Sequence, residues 1–174
     1  PTTPSGQIAL YDGTITARSI NDGGQGAFVF VDPAAGSGAR VAGAAGVDRG
    51  TLYLRADVSA KPSSTPMQLQ LCLVPGDDSV ISPPCTDATK LVVTGTGAFS
   101  ASFDMRALTG EESVDWTRGL SRLLVVLRDS ASRPLDERYT RGADGTPIDL
   151  TPYYPVTLRL RLVLAPAGAT FSGW

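Results

Sequence analysis

Cys72 and Cys85 are the only thiols in the chain, and they bracket the stretch "LVPGDDSVISPP". A pair of cysteines can form a disulfide, help clip a metal or cycle as a redox couple. Zinc sites usually take four Cys or His donors, and this chain has no histidine at all. Redox couples use the Cys-x-x-Cys spacing, which is absent. Against the plain alternative of two free thiols, a Cys72–Cys85 disulfide is the expectation. It closes a loop of about a dozen residues, worth about 3 kcal/mol in the chain-entropy account. A disulfide favours an oxidising compartment, so the expected location is extracellular, on a cell surface or on a virion.

Carboxylates are the next groups with chemistry to offer. Asp77 and Asp78 sit together in "PGDDS", and Asp144 and Asp149 share the Gly-containing stretch "RGADGTPID". Calcium wants about six to eight oxygens spaced through a loop. Each stretch supplies two carboxylates, so both read more simply as solvated turns, and neither a metal nor a cofactor is expected. Catalysis finds little to work with. Without histidine the commonest general base is missing, and with it the Ser-His-Asp and Cys-His arrangements. No Gly-x-Ser-x-Gly elbow, phosphate loop or dinucleotide fingerprint occurs. Paired acids can cleave glycosides, but Glu111, Glu112 and Asp115 fall on a short helical pattern and Asp136 and Glu137 are adjacent. These acids decorate turns, and the chain is read as a non-enzyme.

Aromatic residues are the remaining candidates. Tyr53 alternates to the outer side of a strand pattern, Tyr153 and Tyr154 precede the last long strand, and Trp116 lies in the helical pattern. Exposed rings of this kind stack on sugars, whereas buried ones cap the ends of a sandwich. The termini carry a second signal. No charge occurs before Asp12 or after Arg161, and the tail "LVLAPAGATFSGW" carries Phe171 and Trp174. Residues 1–11 and 165–174 therefore read as uncharged arms docked on the domain or on a neighbour. The opening "PTTPSG" fits a secreted chain after leader cleavage, and equally a chain that has lost only its initiator Met.

Alternating strands must position these groups. In "TLYLRADV", Leu52, Leu54, Ala56 and Val58 share one face while Thr51, Tyr53, Arg55 and Asp57 share the other. "MQLQLCL" turns Met67, Leu69, Leu71 and Leu73 inward and puts Cys72 on the outer face with Gln68 and Gln70. "AFSASFDM" and "VTLRLRLVL" repeat the pattern, the latter with Arg159 and Arg161 outward. Period 2 with one apolar face marks antiparallel sheets. "RLLVVLR", 122–128, is continuously apolar between its arginines and reads as a central strand. Further strands are expected at "GTITARSI" (13–20), "AFVFV" (27–31), "ARVAG" (39–43) and "KLVVT" (90–94). One short helical turn is expected in "TGEESVDWTRGL", with a Thr109/Glu112 capping box and Gly119 as its stop.

The 19 Gly and 13 Pro lie mostly between these runs, as in an all-β protein. The 174 residues have the size of one domain, 42% hydrophobic and 18% charged. The expected fold is a single all-β domain over 1–174, a two-sheet antiparallel β-sandwich of immunoglobulin-like or jelly-roll type with about nine strands. A net charge of −2 gives no electrostatic case for nucleic acid or anionic membranes. No apolar run reaches the ~20 residues that span a bilayer. The functional expectation is a non-catalytic structural or interaction subunit of an extracellular, envelope, filament or virion assembly, whose partner is protein, either another copy or a neighbouring subunit. The alternative is a secreted carbohydrate-binding module, with polysaccharide as partner.

Overall fold

The computed structural model describes residues 6–18, 26–76, 83–88, 90–108, 114–136 and 141–174. Eight strands among them form two antiparallel sheets. In chain order they are β1 (Ile8–Ala17), β2 (Phe28–Val31), β3 (Thr51–Ala60), β4 (Met67–Pro75), β5 (Val92–Val93), β6 (Gly97–Asp104), β7 (Leu120–Arg128) and β8 (Val156–Ala165). One sheet runs β1-β8-β3-β6 and the other β2-β7-β4-β5.

This order decides between the two expected sandwiches. β1 pairs with β8, β2 with β7, β3 with β6 and β4 with β5. The four pairs are nested, as the rungs of one long antiparallel hairpin would be. Folding that hairpin over itself brings β3 against β8 and β4 against β7, which closes the two sheets. The fold is a jelly roll.

The alternating faces point where the pattern places them. Leu52, Leu54, Ala56 and Val58 of β3, Met67, Leu69, Leu71 and Leu73 of β4, and Val156 to Leu164 at every second position of β8 are buried between the sheets. β7 adds Leu123, Val125 and Leu127 from the middle of its sheet, as its apolar run requires. β1 changes phase midway. A bulge between Ala9 and Tyr11 lets Ile8 and Leu10 face the core before it, and Ile15 and Ala17 after it.

Two elements differ from the sequence expectation. "ARVAG" is not a strand but part of the helix α1 (Ser37–Gly43), which buries Val41 and Ser37 on one side, four residues apart. Its small residues fit a helix as readily as a strand, and a five-residue run is too short to separate period 2 from period 3.6. Close approach fixes its place: a Cβ on Gly38 would meet the Leu120 carbonyl oxygen at 2.4 Å, and one on Gly119 the Gly38 oxygen at 2.6 Å. The helical pattern before β7 is a 3₁₀ turn at Trp116–Arg118, capped by the Asp115 side chain and ended by Gly119 at φ 78°. Thr109, Glu111 and Glu112 lie outside the described residues. Two further 3₁₀ turns of the same length, Val47–Arg49 and Met105–Ala107, complete the elements among the described residues, and "KLVVT" contributes only the two residues of β5.

Candidate interaction surfaces

The disulfide joins Cys72 of β4 to Cys85, residues directly opposite each other on an antiparallel bridge. Residues 84–88 and 90–91 run along β4 as an irregular edge. Leu73 N–H donates to Pro84 O (3.0 Å), Thr86 N–H to Leu71 O (2.8 Å), and Leu69 N–H to Leu91 O (2.9 Å). Thr86 Oγ1 accepts from Leu71 N–H at 2.9 Å. Cys72 does face away from the core, but it is only 3% exposed, and Gln68, four residues earlier on the same face, only 5%. This part of β4 is therefore covered on both faces, whereas the alternation alone implied a wetted outer side. Asp77 and Asp78 lie outside the described residues.

The centre of that outer face is apolar. Cross-strand neighbours place Phe30, Leu124 and Cys72 in one row, and Phe28, Val126 and Gln70 in the next. Phe30 is 50% exposed, and the Arg122 guanidinium lies 4.5 Å from its ring centroid. At the far end Arg128 Nε donates to Gln70 Oε1 (2.9 Å) and its Nη1 to Ser132 O (3.0 Å). A solvated antiparallel face normally alternates to polar side chains. Here apolar residues occupy the outward positions and arginines the rim. Cys72 and Val126 are covered (3% and 2% exposed), so the apolar surface open to solvent is Phe30 with the partly buried Leu124.

The opposite sheet has a charged outer face with an aromatic clasp. Arg159 forms two bonds to Asp12 (2.9 and 2.8 Å). Asp57 accepts from Arg55 Nε and Nη2 (3.0–3.1 Å) and from Arg161 Nη2 (2.7 Å). Hydrogen bonds from Arg55 and then Arg161 hold the Asp57 carboxyl below the usual carboxylate range, and Arg159 does the same for Asp12. The C-terminal tail folds onto this face. Phe171 stacks on Tyr53 with ring centroids 4.1 Å apart, and Trp174 meets Phe171 edge-on at 5.1 Å. Arg161 lies 5.9 Å from the Trp174 ring. Gln7 ties the tail down: its Nε2 donates to Gly173 O (3.1 Å) and its Oε1 accepts from Ser172 N–H (2.8 Å).

Of the six aromatic candidates, the structure brings Tyr53, Phe171 and Trp174 together and leaves the others apart. Tyr153 and Tyr154 sit at one end of the core. Tyr154 is buried, its hydroxyl donates to Leu135 O (2.6 Å), and burial pushes its phenol well above the usual range. Trp116 packs half-buried against the core and lines an open cleft of about 320 Å³ with residues 44–48. Tyr53 and Phe171 cover each other, so only Trp174, 40% exposed, offers an open ring.

The acids are engaged locally. Asp144 accepts from the backbone N–H and hydroxyl of Thr146, and Asp149 from those of Thr151, both turn geometries. These bonds lower both carboxyls. Asp136 is fully buried against Ala27 N–H (3.4 Å), and Gly26 permits the approach, since a Cβ there would meet Asp136 Oδ2 at 2.0 Å. Glu137 lies outside the described residues. Among the described residues no group of three or more acids or cysteines is placed to hold a metal ion, and no helix is long and apolar enough to cross a membrane.

The outer row around Phe30 had a signal that sequence reading passed over: "FVFV" puts Phe28 and Phe30 on the face opposite Val29, so one of its two apolar faces must lie outside the core. Fold and surfaces together define a jelly-roll domain with an apolar outer face and a clasped tail. Compared with known protein families and with curated proteins, the chain matches none.

Proposed function

We propose that this protein is a non-catalytic structural or interaction module that works by associating with protein surfaces, as a subunit of an extracellular, envelope, filament or virion assembly. The observation that carries the reading is the outward apolar row of the β2-β7-β4 face, with Phe30 half exposed and Arg122 stacked on it. Aromatic rings and arginines are the residues enriched where protein interfaces concentrate their binding energy. The Cys72–Cys85 bond supports an oxidising location. The jelly roll is used by capsid and lectin domains alike, so the fold by itself does not choose between them.

Light scattering after size exclusion, comparing the wild-type chain with Phe30→Glu over a wide concentration range, tests the reading. The wild type is expected to associate as concentration rises, and Phe30→Glu to shift toward monomer with thermal stability unchanged. A wild-type monomer at every concentration contradicts the reading.

A second reading, a carbohydrate-binding module, draws on Trp174, whose open ring sits beside Arg161, itself bonded to Asp57, as an apolar face with a polar neighbour. It ranks second because one open ring is a small platform. Retention on a polysaccharide panel, lost in Trp174→Ala, would favour it, and no retention on any polymer would retire it.

A further inference from the structure

The strand β6 forms one edge of the β1-β8-β3-β6 sheet, and it lacks the devices that usually block an edge. From Gly97 to Phe103 it carries no charge and no proline. The other three edges are guarded. β1 is bulged and bears Asp12, β2 has four residues, and β5 has two. The unused side of β6 can be read from its used side. Met105 N–H donates to Gly50 O across the β3–β6 register. In an antiparallel ladder bonded pairs alternate, so Phe103, Ala101 and Phe99 turn their backbone groups to β3. Ala98, Ser100, Ser102 and Asp104 then present theirs to the open edge, where no described backbone group meets them.

The sequence of this edge is a palindrome, Phe99-Ser100-Ala101-Ser102-Phe103. We propose that two copies of the chain pair through β6, antiparallel about a two-fold axis at Ala101, to make one continuous eight-stranded sheet. In that register Ser100 lies opposite the partner's Ser102, and both belong to the set whose backbone groups face outward. Phe99 lies opposite the partner's Phe103 on the core side, and Ala101 opposite itself. Each residue therefore meets its own kind, and the inward and outward faces stay continuous across the axis, as a self-complementary two-fold contact demands. Asp104, at the end of the ladder, falls opposite Ala98, and its charge is already met within its own chain by Arg106 (2.8 Å). A second copy satisfies these matches without any further requirement, which an unrelated strand would not.

This inference rests on the association reading above and adds to the Phe30 face a second contact, on the edge of the other sheet. Charge placed on the edge tests it, because Ser100 and Ser102 are exposed and their backbone groups do not bond β3. Ser100→Lys/Ser102→Lys is expected to reduce dimerisation at least tenfold in sedimentation equilibrium while leaving the monomer folded. Mixing it with Ser100→Glu/Ser102→Glu is expected to restore a mixed dimer. Ala101→Cys should cross-link to a covalent dimer on mild oxidation and Ala98→Cys should not, since non-bonded antiparallel partners at the axis lie about 4.5 Å apart, within disulfide reach. A wild-type dimer that ignores the lysines, or lysine and glutamate chains that fail to combine, overturns the β6 contact and leaves association by another face standing. A wild type that never dimerises overturns both.

Discussion

Asp57 holds two guanidinium groups at once, Arg55 from its own strand and Arg161 from β8, with Arg161 only 19% exposed. Removing that carboxylate leaves two like charges side by side, and Asp57→Ala is expected to cost about 1 kcal/mol, measured by denaturant unfolding. The same contacts set the pH response. Asp12, Asp57 and Asp104 all titrate below their ordinary range, Asp104 at about 2 beside Arg106. A carboxyl whose folded pKa is depressed stabilises the fold above its unfolded pKa, near ~3.9, and that stabilisation is lost as pH falls through the folded value. With no histidine in the chain, the unfolding midpoint should be level between about pH 5 and 8 and fall below about pH 4. A stability change centred near neutral pH would contradict this assignment. The disulfide belongs to this scale too. Replacing Cys72 and Cys85 together by Ala should lower stability by about 3 kcal/mol, from the loop it closes.

Among the elements, the C-terminal tail carries the clearest energetic consequence. Phe171 buries part of Tyr53, and Gln7 anchors the residues beyond it. Phe171→Ala should destabilise by about 1–2 kcal/mol in thermal or denaturant unfolding, through lost stacking and burial. Little effect would mean that the tail contributes nothing on this sheet. The strands were legible wherever period 2 was unbroken, as in β3, β4 and β8. β1 was read only from Gly13 because its bulge shifts the alternation, leaving Ile8 and Leu10 in the opposite phase to Ile15. α1 was misread because one valine among small residues sets no period. The burial of Cys72 depended on Pro84, Thr86 and Leu91 returning to β4, a pairing that local alternation does not encode.

For the whole molecule, the two layers are one long hairpin folded over, a relation between strands far apart in sequence. That is why the sandwich was legible and its jelly-roll order was not: parity says which side of a strand is buried, but not which strand lies beside it. The surfaces follow the same division. Tyr53, Phe171 and Trp174 could be singled out by type, whereas their meeting on one face required the register. The apolar row around Phe30 needed β2, β7 and β4 side by side. At this scale the function proposed above is association through surfaces that the core does not use. Sedimentation equilibrium of the full wild-type chain, from dilute to concentrated solution, tests it most directly. The mass is expected to climb reversibly from monomer toward dimer or beyond as concentration rises. A mass fixed at the monomer throughout would contradict it.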